Sequence, residues 1–200
     1  MEKVIFMATQ TTIKNKSLTD KVIADIEKIY LKGFERYLLW NYVPRDFWTQ
    51  SFQELFPDKY VYNETDFNYS VCFTTYVHIS PINKKIGTKG FREYIETNGY
   101  LDLLVVDISA LAPYALVKYV QYRFINNEYM PFSSYAPFKE EHQVIGDKVK
   151  AYLQDKGITF LEDDILFEKV NPEISLENRE DDVRVYNCLF DDSDTWPKRE

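Results

Sequence analysis

The chain has 200 residues and a formal net charge of −8, and 45% of its residues are hydrophobic and 16% aromatic. This composition excludes a disordered chain, which would be poor in aromatic side chains, and the length suits one domain over residues 1–200. The negative charge argues against binding to the phosphate backbone of a nucleic acid.

The N-terminus and the cysteines predict a cytoplasmic protein. No segment approaches the roughly 18 uninterrupted apolar residues of a membrane-spanning helix, so no membrane association is expected. The acid at Glu2 and the apolar run of only five residues after Lys3 do not make a signal peptide. Cys72 and Cys188 have no neighbouring cysteine for a zinc site or a disulfide framework, which predicts two reduced thiols in the core.

The N-terminal quarter is predicted to be mainly helical. Weak alternation over residues 3–8 favours a short strand. From Leu18 to about Trp40, apolar residues recur at steps of three and four, which is typical of an amphipathic helix. Ser17 and Asp20 match the start signature of such a helix. A second helix is predicted over residues 47–56, where Pro57 ends it.

Strict alternation over residues 69–79 predicts an amphipathic strand. One face of this strand carries large apolar side chains, and the other, with Cys72, Tyr76 and His78, is predicted to be solvated. A basic turn over residues 83–90 and a helix over residues 91–97 follow.

The centre of the chain predicts an antiparallel hairpin of residues 101–109 and 115–125. Leu, Val or Ile fill six of the nine positions in the first strand, which is typical of a strand buried on both faces. The five-residue connection is too short for a parallel crossover. A loop centred on Ala112 would pair Val105 with Tyr119. Asp102 and Asp107 interrupt the first strand, and Lys118 and Arg123 are their expected partners.

The remaining segments complete an α+β prediction. Residues 126–138 are predicted as an aromatic loop, residues 139–156 as a helix and residues 191–200 as a charged tail. Short strands are predicted at 158–161, 165–170 and 183–190. The predicted fold is therefore a single domain with a mostly antiparallel sheet centred on the 101–109/115–125 hairpin, packed by the long N-terminal helix and the 139–156 helix.

The sequence offers no motif for catalysis, for a cofactor or for a metal. Two histidines cannot supply a zinc hydrolase signature, and no G-x-S-x-G turn or phosphate-binding glycine loop is present. We therefore expect a protein without enzymatic activity, cofactor or metal.

The acidic C-terminal end provides the leading functional hypothesis. Residues 161–200 hold 13 acids and 5 bases, whereas residues 1–160 hold 19 of each. Such a surface attracts basic proteins, and tryptophan is enriched at binding hot spots. We therefore predict capture of a basic protein partner, for example by a bacterial toxin-neutralising immunity protein, although acids also serve solubility. The predicted contact residues are Asp181, Asp182, Asp191, Asp192, Asp194 and Trp196.

Two alternatives remain open. One is a small-molecule-binding protein or enzyme whose aromatic pocket lies between the 129–138 loop and the neighbouring strand face, lined by Tyr76, His78, Tyr129 and Tyr135. The other is a homo-oligomer that associates through its tyrosine-rich surface.

Overall fold

The computed structural model describes residues 2–31, 43–179 and 181–192, with side chains from Lys16 onward. The helices are α1 (Glu2–Tyr30), α2 (Phe47–Leu55), α3 (Lys89–Asn98), α4 (Glu140–Asp155), α5 (Asp163–Leu166) and α6 (Val185–Leu189). The strands are β1 (Val61–Asn63), β2 (Cys72–His78), β3 (Tyr100–Ser109), β4 (Tyr114–Ile125), β5 (Glu128–Ser134) and β6 (Thr159–Phe160). Strands β1 to β5 form an antiparallel sheet in sequence order, and β6 pairs in parallel with β4. The predicted α+β class is confirmed.

Both faces of the sheet are covered by helices. On one face, named face B, α2 and α4 pack against residues such as Val77, Val106 and Val117. On the other, named face A, α3 covers one end. The opposite end of face A is covered by α1 and by the C-terminal segment with α5 and α6. The predicted packing of the sheet by the N-terminal helix and the 139–156 helix is confirmed.

The central hairpin is confirmed, but its predicted register was wrong by one residue. Val105 pairs with Lys118 and Leu103 with Val120. The prediction assumed a symmetrical five-residue loop, whereas β4 already begins at Tyr114. A shift of one residue turns a strand over, so Lys118 lies on the same sheet face as Asp107. This register allows the two side chains to pair, with 2.8 Å between Lys118 Nζ and Asp107 Oδ2.

The predicted strand at residues 3–8 was wrong, because this segment belongs to α1. A short apolar run does not distinguish strand from helix by its periodicity, and neither Pro nor Gly interrupts the chain between residues 2 and 31. The helix therefore extends well beyond Ser17 towards the N-terminus. Its predicted end near Trp40 lies outside the described residues.

Three predictions for the second half were also wrong. Residues 126–138 contain strand β5, entered through a turn in which Asn126 and Asn127 have φ of 51° and 69°, as a two-residue type I′ hairpin requires. Neither 165–170 nor 183–190 forms a strand: Ile165 and Leu166 end helix α5, Lys169 makes only an isolated antiparallel bridge with Arg184, and residues 185–189 form helix α6. Asp163 and Asp164 occupy the first turn of α5, where acids favour a helix.

The second face of β2 is not solvated as predicted. Cys72 and His78 are buried and Tyr76 is half-buried, because α3 and the C-terminal segment cover this face. Both cysteines are free and buried, as expected. Burial raises the pKa of the Cys188 thiol to about 12, which keeps it protonated at neutral pH.

Candidate functional site

The C-terminal segment from Leu161 to Asp192 forms an outer layer on face A, with apolar side chains inside and acids outside. Ile165, Leu166 and Leu189 are among the residues that it buries against β4 and α1. Seven acids of this segment are exposed besides Asp182: Glu162, Asp163, Asp164, Glu168, Glu173, Glu177 and Asp181. The acidic excess seen in the sequence is thus displayed on one surface.

The three bases within this segment all converge on one acid, Asp182. Lys169 Nζ and Arg184 Nη2 each lie 2.8 Å from a carboxylate oxygen of Asp182. Arg179 donates a hydrogen bond of 3.5 Å to the Asp182 carbonyl oxygen. The hydrogen bonds from Lys169 and Arg184 lower the pKa of Asp182 to about 2. The segment therefore concentrates its positive charge in one loop and leaves its other acids on the outer surface.

An exposed aromatic ring lies beside these acids. Tyr69 is 73% exposed, the largest fraction among the exposed large hydrophobic side chains of the described residues. It belongs to a tight turn in which the Asp66 carboxylate accepts hydrogen bonds from the backbone N–H (3.0 Å) and the side-chain amide (2.9 Å) of Asn68. An Asp that bonds to the backbone two residues on is a typical turn-forming group. The turn therefore presents Tyr69 on a rigid base.

The same turn is joined to the end of the acidic segment. Ser70 forms a β-bridge with Asp191, and the Val71 amide donates to the Phe190 carbonyl at 3.0 Å. Asn178 Nδ2 donates to Asp192 Oδ1 at 3.1 Å. A small pit at this junction is lined by residues that include Tyr69, Glu177 and Asp192. We call Asp66, Tyr69, Glu177, Asp191 and Asp192 the acidic tyrosine patch.

The predicted partner-binding residues fall into three groups. Asp191 and Asp192 belong to the acidic tyrosine patch. Asp181 is exposed in the neighbouring loop, whereas its neighbour Asp182 is engaged by internal cations. Asp194 and Trp196 lie outside the described residues, as does the rest of the predicted tail beyond Asp192.

Sequence reasoning missed Tyr69 as a surface residue. The alternation placed it on the buried face of a strand, but β2 begins only at Cys72. The polar turn sequence Asp66-Phe-Asn-Tyr-Ser70 was the available signal, since Asp, Asn and Ser favour turns.

The four residues of the alternative pocket share face A, where Tyr76 and Tyr129 pack against one cluster and Tyr135 against another. Tyr76 and His78 both contact the Tyr62 ring, at centroid distances of 5.4 and 5.5 Å. Tyr129 instead packs on Phe124 and α3 and donates to the Glu96 carboxylate. Tyr135 packs at the opposite end of face A.

The middle of face A holds a buried ion pair of Asp107 and Lys118. Thr74 Oγ1 donates to the second carboxylate oxygen of Asp107 at 2.8 Å. Burial disfavours the charge of Lys118, but the attraction of Asp107 outweighs it and raises the pKa of the ammonium well above its usual value. The Lys118 ammonium therefore keeps its charge in the core at neutral pH.

An open groove of about 790 Å³ lies elsewhere, between the start of β1, the segment after β2 and α3. Its lining includes Lys59, Tyr60, Lys84, Glu93 and Tyr94, and none of the four predicted pocket residues. The lining mixes both charge signs with tyrosines and prolines, whereas a typical ligand pocket is enclosed and mainly apolar.

Within the described residues, no group of three or more potential metal ligands is present. No described helix combines the length and the hydropathy needed to cross a membrane.

Comparisons with protein-family models, curated proteins and solved structures found no match. The function is therefore inferred from the sequence and the geometry of this chain alone.

Proposed function

We propose that this protein is a non-enzymatic binding protein that captures a basic protein partner. The contact surface is the acidic outer layer of residues 161–192, with the acidic tyrosine patch at its anchor point. The observation that carries this proposal is the outward display of seven exposed acids on a segment whose apolar side chains are buried against the sheet and α1.

The acidic tyrosine patch has the composition expected of a binding hot spot. Tyrosine is enriched at hot spots because it offers a large rigid ring and a polar hydroxyl. Charges around such a ring steer the partner and fix its register. An exposed tyrosine among carboxylates suits a partner that presents lysine or arginine, since these cations also bind to aromatic faces.

A toxin-neutralising immunity protein is one specific form of this function. Small size, an acidic surface and the lack of catalytic motifs in the sequence support that form. Its partner would then be a cationic toxin whose basic active site the acidic surface blocks.

The small-molecule alternative has weaker support. Tyr76 and Tyr129 pack against the same cluster, but Tyr135 packs at the opposite end of face A. The open groove is lined by other residues.

Affinity capture with a matched pair of triple variants tests the proposal. The patch variant carries Tyr69→Ala, Glu177→Gln and Asp192→Asn. The control carries Phe47→Ala, Glu54→Gln and Asp155→Asn, and so removes one exposed aromatic ring and two exposed acids elsewhere.

We expect the wild-type chain and the control to retain the same basic protein from a cell extract, and the patch variant to bind it at least about tenfold more weakly. Salt should also release the partner, because about 1 M salt shortens the Debye length to roughly 3 Å. Equal binding by both triple variants, or binding indifferent to salt, would refute the proposal.

A further inference from the structure

The β4–β5 hairpin carries an exposed apolar surface that the proposed function does not use. Three large side chains of the hairpin, together with Tyr100 of β3 and Phe138 between β5 and α4, are each 38% to 42% exposed. The register places Tyr100, Arg123 and Met130 side by side, with Ile125 and Phe132 on the same face B. We call the five residues the aromatic hairpin face: Tyr100, Ile125, Met130, Phe132 and Phe138.

The buried carboxylate of Asp102 holds polar side chains of this surface in place. Asp102 accepts hydrogen bonds from Gln121 Nε2 at 2.6 Å and from Lys139 Nζ at 2.8 Å. The Lys139 ammonium lies 4.0 Å from the centroid of the Tyr100 ring. Gln121 Oε1 in turn accepts a hydrogen bond from Arg123 Nε.

The Arg123 guanidinium lies 4.9 Å from the centroid of the Phe132 ring. The network thus fixes two exposed aromatic rings, each with a cation over it. Tyrosine and arginine held in place beforehand are the usual anchors of an interface, because little side-chain entropy is lost on binding.

The open edge of β5 is a poor site for the addition of a further strand. In a two-residue type I′ hairpin, Ile125 and Glu128 form a hydrogen-bonded pair. Every second residue of β5, counted from Tyr129, then points its backbone polar groups away from β4 and towards the open edge. Pro131 is one of these residues. Proline has no N–H to donate, so the edge lacks a donor at its centre. The side chains on face B of the hairpin are therefore a better binding surface for a partner than the backbone edge of β5.

The size of the surface fits one half of a specific interface. A side chain of this kind has about 200 Å² of surface, so the five exposed parts amount to about 400 Å². Because about 60% of an interface is apolar, 400 Å² of apolar surface corresponds to an interface of about 670 Å² on each partner. The two partners together would bury about 1,300 Å², which exceeds the roughly 1,000 Å² that a specific interface needs.

The charges around the surface are self-complementary. Arg123 supplies positive charge, because Lys139 is already paired with Asp102, and Glu128 and Glu140 lie exposed on the same side of the molecule. An interface between identical copies requires both signs in one patch, because a twofold axis brings the cation of each copy to the anion of the other. We propose that the aromatic hairpin face binds the same face of a second copy of this chain, which makes the protein a twofold-symmetric dimer.

Sedimentation equilibrium between about 1 µM and about 200 µM tests this proposal, a range in which an interface of this size is expected to dissociate measurably. The wild-type chain should show a concentration-dependent dimer. Phe132→Glu should weaken dimerisation at least tenfold, since it places a carboxylate in the centre of the face.

Phe124→Glu is the matched control, because Phe124 is 41% exposed on the same hairpin but lies on face A. It should leave the dimer intact, and circular dichroism should show that both variants fold. A wild-type chain that is monomeric throughout, or two variants that dissociate equally, would overturn the proposal. These results do not depend on any basic partner, so they leave the proposed function untouched.

Discussion

At the scale of single residues, His78 gives the fold a specific sensitivity to acid. The imidazole is 0% exposed and lies between the rings of Tyr60 and Tyr62. Burial lowers its pKa from 6.5 to about 4. Between these two pH values the unfolded chain binds a proton that the folded chain does not bind. The free energy of unfolding should therefore fall as the pH falls through this window.

We predict that His78→Phe removes this part of the pH dependence. Between pH 7.5 and pH 4.5, the wild-type chain should lose about 2 kcal/mol more unfolding free energy than the variant, because one pKa unit corresponds to about 1.4 kcal/mol. Urea denaturation at both pH values measures the difference. Asp182 does not interfere, since it is present in both proteins and its contribution cancels in the difference. Parallel pH dependence in the two proteins would contradict the prediction.

The residue scale also shows what the sequence can and cannot predict about charge pairs. The buried acids Asp102 and Asp107 required partners, and Lys118 and Arg123 were expected to supply them. Lys118 does pair with Asp107. Arg123 reaches Asp102 through Gln121, whereas Lys139, at the start of α4, pairs with Asp102 directly. Residue types predict the need for a partner, whereas the register and the packing of distant elements determine its identity.

At the scale of elements, helix α4 approaches the sheet closely enough to require a glycine. A Cβ atom at Gly146 would overlap the Tyr119 hydroxyl oxygen and lie 3.0 Å from the ring carbon that bears it. The ring is buried, and its hydroxyl makes no hydrogen bond with the described residues.

We predict that Gly146→Ala destabilises the protein, although alanine favours a helix by about 1 kcal/mol. Overpacking costs about 1–3 kcal/mol, so the net loss should be about 1 kcal/mol. In the Tyr119→Phe background the oxygen is absent and the same substitution should cost less. Urea denaturation of both single variants and the double variant measures this coupling. Additive effects would show that Tyr119 is not the obstacle.

The elements that were predicted correctly have long, uniform patterns. The strand at 101–109 has a long apolar run, and the 139–156 helix has many positions that agree on one period. The runs at 165–170 and 183–190 are too short for that, and the short helices α5 and α6 are buried against α1 and β4. Strand β5 was predicted as a loop because Pro131 and the two serines at its end are typical of loops, although the segment pairs with β4.

At the scale of the whole molecule, the acidic excess of the C-terminal end could be predicted from the sequence. The surface that these acids form in the folded chain could not. Apolar residues of the same segment cover face A, and this turns the acids outward. Tyr69 comes from a distant part of the chain and is brought to the acids by the backbone pairing of Ser70 with Asp191 and of Val71 with Phe190. No local pattern in the sequence records that contact.

The two proposed surfaces lie at opposite ends of β3. Cys72, close to the acidic tyrosine patch, pairs with Ser109, whereas Tyr100 of the aromatic hairpin face begins the strand. Ten residues of strand separate the two surfaces by about 30 Å. A dimer would therefore leave both acidic tyrosine patches accessible and would bind bivalently to a densely coated surface.

We predict that Phe132→Glu accelerates dissociation from a sensor coated densely with an oligolysine peptide, while the affinity for the same peptide free in solution stays unchanged. The reason is that the substitution removes the second contact of the dimer and leaves each acidic tyrosine patch intact. Phe124→Glu introduces the same charge on the same hairpin and should dissociate as slowly as the wild-type chain. Faster dissociation of both variants would mean that the added carboxylate, rather than the loss of bivalency, controls the rate.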